Sequence, residues 1–465
     1  MFRFVDFFSL IIFLERKNMR KYINYVISII FKVSLFVTLS ANVWADDLAA
    51  WWRPTTEIDA GNTAWLMISA VLVLFMTIPG LALFYGGMVR KKNVLGTMMH
   101  SFTVAAVVSL VWMIIGYSLA FTPGNAFVGG LERFFLNGLG FDKAREMTTV
   151  FGGSGTVPEA VFMFFQMTFA IISMAIVTGA FAERMKFSAL LLFCTAWVIL
   201  VYAPICHWVW GGGFMSEAKI PVMDFAGGTV VHINAGVAGL VAAVVMGKRL
   251  GYGRDIMSPH NMVLTLTGAA MLWLGWFGFN AGSAGAADAA AGMAMAVTQI
   301  AAAAGALTWL LCEKIAGHKP SALGLASGAV AGLVGITPAA GFVMPTAALL
   351  IGILTTVGAY FAAVILKRRF GYDDSLDAFG IHGFGGIIGS ILTGLLFSNV
   401  ITGGDAQIGS QLLAQIKDVL ITVIYSAIVT FIILKIVYLI CGGLRIQQEA
   451  EREGMDLSIH GERIE

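Results

Sequence analysis

Eleven apolar stretches, each about 20 residues long and so able to cross a bilayer as a helix, leave this chain few ways to fold. They fall near 63–86, 97–120, 157–182, 187–209, 226–247, 261–283, 289–312, 320–338, 342–366, 378–398 and 413–441. Hydrophobic residues make up 58% of the chain and charged ones only 12%, against roughly 25% charged in soluble proteins. With a mean hydropathy of +0.85, the chain reads as an all-α polytopic membrane protein. A formal net charge of +2 implies no nucleic-acid partner. Cys194, Cys206, Cys312 and Cys441 lie far apart in apolar runs, form no CxxC pair, and read as packing residues rather than disulfides or metal ligands. No cofactor is expected.

The charges between the stretches are lopsided. Arg90, Lys91 and Lys92 follow the first, Arg184 and Lys186 the third, and Lys248, Arg249 and Arg254 the fifth. Lys314 and Lys319 follow the seventh, and Lys367, Arg368 and Arg369 the ninth. The even loops carry only Arg133, Lys143, Arg145, Lys219 and Lys417. The positive-inside rule therefore puts the odd loops in the cytoplasm, the mature N-terminus outside and the C-terminal tail inside. Residues 1–45 read as an extension plus a signal peptide: a start at Met19, Arg20 and Lys21, an apolar run to Leu39, and cleavage after Ala45 in Val43-Trp44-Ala45. The rival is an uncleaved additional span. Residues 46–441 then form the membrane domain, and the polar residues 442–465 a cytoplasmic tail that, on its residues alone, is a solvated helix.

Two histidines lie inside these stretches in matching frames. His232 ends Asp224-Phe-Ala-Gly-Gly-Thr-Val-Val-His, and His382 ends Asp374-Ser-Leu-Asp-Ala-Phe-Gly-Ile-His. Glycines follow each at the fourth and seventh places: Gly236 and Gly239, Gly386 and Gly389. An ionisable side chain in a membrane span is a functional-site hypothesis by default. The fifth span runs inward and the tenth outward, so spans one to five and six to ten are candidate inverted repeats with one C-terminal helix appended. The two rings would then meet near the midplane, where they can share one hydrogen and favour neutral forms. Helix-packing histidines and a metal site are the alternatives; the second lacks carboxylate or cysteine ligands at that depth. Asp224 reads as the cap of the fifth helix, and Asp374 and Asp377 as structural caps of the tenth. Gly324, Gly328 and Gly332 of the eighth span, and Gly227-Gly228 and Gly385-Gly386 beside the histidines, read as helix-contact positions.

Aromatic residues make a second group. Phe165 and Phe169 share a face of the third span, Trp210 ends the fourth, and Trp276, Phe279 and Ser283 share a face of the sixth. Each alone reads as core or lipid-facing. Together, near the outer ends of three helices, they form a cup for a small cation, worth about 0.5–2 kcal/mol when partly desolvated.

With Asp224–Gly236, Gly275-Trp-Phe-Gly-Phe-Asn-Ala-Gly-Ser283, Asp373–Gly383, Pro79-Gly-Leu-Ala-Leu-Phe-Tyr-Gly-Gly87 and the tail Glu451–Gly461 in view, the chain resembles an ammonium transporter of the Amt type, in the Amt/Mep/Rh family, from about Asn62 onward. The resemblance implies eleven helices per subunit, a homotrimer and one pore in each subunit. It makes Phe165, Phe169, Trp210 and Ser283 the outer ammonium site, with Asp224 as the aspartate belonging to that substrate-binding group. It makes Phe169 and Phe279 the gate, Trp276 part of the pore wall, and His232 and His382 the pore pair. It implies an inner-membrane protein that is not an enzyme, and a PII-type nitrogen regulatory protein as partner at the cytoplasmic face, with the tail as a regulatory element. The loop 121–157, residues 399–411, Ser375-Leu376 and Phe384 depart from the family pattern.

The function so implied is recruitment of ammonium, loss of its proton, and conduction of ammonia past the histidines, with or without separate proton transfer. A neutral ammonia channel of the Rh kind and an ammonium sensor with little flux stay open. An ion-coupled symporter of another solute usually has broken helices, and the fifth and tenth spans hold no proline. A membrane enzyme using the histidines as acid and base lacks an accompanying nucleophile or metal set.

Overall fold

The computed structural model describes residues 49–464 apart from 217, 219 and 220. The signal-peptide reading, with its start at Met19 and cleavage after Ala45, lies outside the described residues. Within them, ten helices are long and apolar enough to cross a membrane. They are α1 (Ala60–Met88), α2 (Lys91–Phe121), α3 (Glu159–Ala180), α4 (Phe187–Trp210), α5 (Gly228–Met246), α6 (Met262–Gly282), α7 (Ala289–Ile315), α9 (Pro345–Phe370), α10 (Phe379–Leu396) and α11 (Ile408–Ile440). Between α7 and α9 lies α8, Ala322–Ile336, apolar but only 15 residues long. Leu110, Leu354, Ile428 and Leu439 are among the large apolar side chains exposed on the outside, a face that fits lipid.

Four of these helices begin on side-chain caps. The side chains of Asp59, Asn261, Asp288 and Ser321 accept the amides of Asn62, Leu264, Ala291 and Gly324 and so start α1, α6, α7 and α8. The small residues of α8 do what their spacing predicts. Gly328 faces Gly305 and Ala306 of α7, and Gly332 faces Ala301 and Ala302. Outside the spans, a small antiparallel sheet pairs β1 (Trp52–Pro54) with β3 (Met147–Thr149), and β2 (Phe141–Asp142) with β3. The buried pair Arg133–Glu159, at 2.8 Å, ties this outer loop to the start of α3.

The helices are less regular than their apolar runs suggest. Wide π turns open α5 (Gly228–Ile233) and α10 (Phe379–Phe384), and others lie inside α4 (Val198–Tyr202) and α9 (Phe361–Leu366). The fifth and tenth spans, read as unbroken, thus begin in non-α geometry exactly where the histidines sit. These turns fall in corresponding members of the two five-helix groups; α1 and α2 carry one each without a counterpart in α6 and α7.

One end of the bundle is sewn together by charge. The arginines counted on the sequence as loop charges are partly buried: Arg90 pairs with Glu183 at 2.6 Å, and Arg249 with Asp373 at 2.8 Å and Glu183 at 3.4 Å. Arg184 donates to the Asp373 carbonyl and the Ser375 hydroxyl, at 2.6 Å each. The loops after α1, α3, α5 and α9 therefore share one face. The tail joins them, which corrects its reading as a solvated helix. It forms two short helices, α12 (Gln448–Glu453) and α13 (Met455–His460). Glu451 is buried, pairs with Arg445 and accepts the Leu250 amide at 2.8 Å. Asp456 accepts the Leu95 and Gly96 amides at the start of α2. The tail is rich in charge, but Glu451 and Asp456 find amide partners on the body, so docking outcompetes hydration for these two.

Burial by itself would raise the Glu183 and Asp373 carboxyls. Hydrogen bonds and charge from Arg90 and Arg249 outweigh it for Glu183, and from Arg249 and Arg184 for Asp373, holding both below the usual carboxylate range. A depressed folded-state value contributes stability that is present above the unfolded value, about 4, and is lost as pH falls toward the folded one. The thermal midpoint of the purified protein is expected to hold from neutral pH to about pH 4 and to drop below it. Asp373→Asn is expected to lower the midpoint already at neutral pH, since breaking a buried pair costs about 3–5 kcal/mol, and to flatten part of the acid limb. A midpoint unchanged in the variant counts against the network as a stabilising element.

Candidate functional site

The site is built on the start of α5 and of α10, and each start is made the same way. Asp224 accepts four amides, those of Gly227, Gly228, Thr229 and Val230, at 2.6–3.1 Å. Asp374 accepts those of Ala378 and Phe379 at 3.1 and 2.8 Å. Each carboxylate gathers the first free amides of its helix, where the helix dipole favours it. Asp224 thus has its carboxylate oxygens turned to the backbone, while its carbonyl accepts the Trp210 indole. Asp377 does not cap α10 as its position suggests. It sits at φ 57° and its carboxylate pairs with Lys367, so that turn is held by an ion pair.

Glycine then decides how closely the two starts approach. A Cβ at Gly236 would run into the backbone of Gly383, and one at Gly386 would lie 3.1 Å from the Gly228 carbonyl oxygen and 3.2 Å from the His232 Cβ. Because no side chain intervenes, the imidazoles meet: the Nδ1 atoms of His232 and His382 are 3.2 Å apart. At that distance one Nδ1 carries the hydrogen and the other accepts it. Two imidazolium rings would place two N–H groups head to head, so the pair holds at most one extra proton. In the neutral pair one Nε2 is then an acceptor and the other a donor. The Nε2 of His232 is buried with no hydrogen-bond partner among the described residues, a polar atom left free beside apolar walls.

The rings continue beyond His232 as a column. Trp276 and Phe279 lie nearly parallel to His232, with centroids 5.4 and 5.9 Å away. Phe279 stacks on Phe169 at 4.2 Å and 18°. Phe169 meets Phe165 at 4.8 Å and the edge of Trp210 at 6.0 Å. Trp276 is fixed by a bond from its Nε1 to the Thr337 hydroxyl at 2.9 Å, and Trp210 by one from its Nε1 to the Asp224 carbonyl at 2.8 Å. Ser283 closes α6 and donates to the Phe279 carbonyl at 2.8 Å. Phe165, Phe169, Phe279, Trp276, His232 and His382 are all buried, while Trp210 and Ser283, at the outer end, are partly exposed. The structure thus brings the aromatic and histidine residues singled out on the sequence into one file. The stacked Phe169 and Phe279 stand between Trp210 and His232 in this file.

Several contributors were not picked out on the sequence. Thr337, Thr229, Gln415 and Asp418 hold the site from behind: Gln415 exchanges hydrogen bonds with both the amide and the carbonyl of Met223, and the Thr229 hydroxyl donates to Asp418. Asp418 carried a signal, an acid inside an apolar run. The threonines and the glutamine carried none.

A bundle of apolar helices enclosing a file of rings that ends in two hydrogen-bonded imidazoles is a membrane protein built around a narrow, mostly apolar passage. The chain matches the Ammonium Transporter Family model over residues 64–464. It is 50% identical over 408 residues to an ammonium transporter of Bacillus subtilis, covering 87% of this chain and 98% of that one. Its fold is similar to the crystal structure of Saccharomyces cerevisiae Mep2, with a TM-score of 0.77, 34% identity, and 85% and 89% of the two chains covered. It is also similar to a structure described as a sensor Amt protein, with a TM-score of 0.78, 27% identity, and 86% and 98% covered. The chain belongs to the ammonium transporter family, and it is a multi-span membrane protein of that family.

Gly236→Ala is expected to push α5 off α10, at about 1–3 kcal/mol for overpacking, and to lower the thermal midpoint. Gly292→Ala, where an added Cβ meets nothing within 4 Å, serves as the control and is expected to leave it level or raise it slightly. Equal midpoints for the two variants would mean that the close crossing is not a constraint.

Proposed function

We propose that this protein carries ammonium nitrogen across the cytoplasmic membrane, taking the ion from outside and passing ammonia through the file of rings. The observation that carries this reading is the order of the groups: a cation-attracting aromatic cup, a stacked phenylalanine pair, then two imidazoles sharing one hydrogen. Phe165, Phe169, Trp210 and Ser283 receive the cation, and Asp224 holds Trp210 and the loop in place. Trp210 presents a ring face and Ser283 a hydroxyl oxygen, so a small ion with N–H donors gains both cation–π attraction and a hydrogen bond.

Potassium has much the same size and charge, so attraction alone does not separate the two. Ammonium can leave its proton behind. The Phe169–Phe279 stack admits a guest only when the rings part, and beyond it Trp276 and the apolar walls disfavour a charge by a few kcal/mol. Ammonia then meets the free Nε2 of His232. The pair can take a proton at one Nε2 and release one at the other, because the shared Nδ1 hydrogen can switch rings. That route would make transport electrogenic, with about 2.3 kcal/mol per charge per 100 mV acting on it. Return of the proton to the outside would make it neutral.

In this reading the protein has eleven helices, α8 among them, in an inverted five-plus-five repeat with α11 appended. Its mature N-terminus faces outward and its tail the cytoplasm, it assembles as a homotrimer, and it catalyses no covalent reaction. The docked tail at the charged face is the surface for a PII-type regulatory partner. A sensor role, with ammonium bound but little flux, is the second reading, favoured by the likeness to the sensor Amt protein.

The test is current across a membrane reconstituted with purified protein, on pulses of ammonium and then potassium. A saturable ammonium current without a potassium current is the expected result. A fast internal pH change without current would mean a neutral channel, and silence with ammonium still bound would mean the sensor. His232→Ala is expected to lose ammonium current or to let potassium through; unchanged uptake and unchanged potassium rejection would remove the histidines from the mechanism. Trp210→Leu is expected to raise the half-saturating ammonium concentration by about fivefold, from loss of about 1 kcal/mol of cation–π attraction, and an unmoved value would argue against the cup.

A further inference from the structure

Most buried carboxylates in this molecule have strong donors. Glu159 has Arg133, Glu183 has Arg90 and Arg249, Asp373 has Arg249, and Glu451 has Arg445 and an amide. Asp224, Asp374 and Asp456 each accept two or more backbone amides. Asp418 is different. It lies within α11, is 1% exposed, and its partners are two hydroxyls: that of Thr229, and that of Thr422 at the long distance of 3.5 Å. Among the described residues it takes part in no ion pair; its neighbour Lys417 is exposed.

Its surroundings make a charge there costly. The buried face of α11 is a polar stripe of Gln411, Gln415, Asp418, Thr422, Ser426 and Thr430. Its other members are neutral, and most of them bond backbone atoms around α5: Gln411 the Pro221 carbonyl, Gln415 both polar atoms of Met223, and Ser426 the Asn234 carbonyl. Thr229 links Asp418 to a second acid, since its amide is held by Asp224 at 3.0 Å while its hydroxyl meets Asp418. The titratable groups on the helices packed against this part of α11 are Asp224 and His232 at α5, and Cys194 and Tyr202 on α4; the packed segment of α10 after His382 has none. None of these supplies a fixed positive charge. An isolated carboxylate without a cation or amide donor, beside a second acid already served by four amides, is the state that burial opposes most.

We propose that Asp418 is a proton-binding site within the membrane, and that through Thr229 it positions the His232 segment. The hydroxyl of Thr229 can donate to the carboxylate or accept from the acid, so a proton can come and go without breaking the contact. Thr229 is the second residue of the π turn that carries His232. Loss of the proton would set a new negative charge against Asp224 and pull on that turn. The proposal does not depend on what the passage carries, and its test uses no substrate.

Infrared difference spectroscopy of the full-length protein in lipid, wild type against Asp418→Asn near neutral pH, reads the proton directly. A carbonyl band of a protonated carboxyl that is present in the wild type, absent in Asp418→Asn and displaced in Asp418→Glu is the expected result. No such band in the wild type, or a band that survives unchanged in folded Asp418→Asn, overturns the site; Asp418→Glu decides where the asparagine variant does not fold. Nitrogen-15 spectra of labelled histidine read the positioning. As alkaline pH removes the carboxyl band, the shared Nδ1 signal of the wild type is expected to move while that of Asp418→Asn stays. An equal movement in both overturns the link to His232.

Discussion

The site rests on one steric fact: α5 and α10 touch backbone to backbone. Gly236 against Gly383, and Gly386 against Gly228, bring the π turns close enough for two imidazoles to meet at 3.2 Å. A membrane interior gives helices no hydrophobic reason to seek one another, so close packing and interhelical hydrogen bonds must supply the association. Here the same crossing supplies both. The glycines let the backbones approach, and the approach creates the histidine bond. Any side chain at the crossing would cost packing and separate the rings in one step.

The aromatic file follows from that geometry. His232 is flanked by Trp276 and Phe279 of α6, and Phe279 is covered by Phe169 of α3. These contacts are ring to ring, with few polar atoms that could replace the water around an ion. The few that exist are already engaged: the Trp276 and Trp210 indoles are bonded to protein oxygens. What remains free is a hydroxyl oxygen outside and an imidazole nitrogen within. On the proposed reading, a file so furnished favours a guest that is charged at the entrance and neutral beyond it, which is why the order of the groups matters more than any single one.

Much of this was legible in the chain. The apolar runs fall on the ten long apolar helices and on the shorter α8, and the matched Asp-to-His frames point to the two residues that meet. The capping role of Asp224 and Asp374 follows from their place before the runs. Other features were not legible for physical reasons. A π turn has the composition of an α turn, so hydropathy does not distinguish Gly228–Ile233 from ordinary helix. Asp377 has the spacing of a cap, but a left-handed backbone and the reach of Lys367 turn it elsewhere. The tail is polar enough to be solvated, and only the three-dimensional placement of Arg445, Leu250 and the start of α2 shows why it is docked. Asp418 was visible as a letter, but its lack of a strong donor was not.

The charged end of the bundle shows how one set of residues can serve two constraints. Arg90, Arg184 and Arg249 belong to the charge bias that orients a membrane protein, a bias that needs only positive charge near the span ends. Their burial adds a second condition, because a guanidinium removed from water needs acceptors in fixed places. Glu183 and Asp373 provide them. Glu183 is held at φ 72°, a backbone region that a non-glycine residue enters at a cost. Two guanidinium bonds from Arg90 to Oε2, its backbone amide on Oε1 and the approach of Arg249 offset that cost. Asp373 precedes Asp374, which starts α10, so the same ion network that joins the loops also anchors the turn leading to His382. On the proposed topology, orientation in the membrane and placement of His382 thus draw on the same arginines.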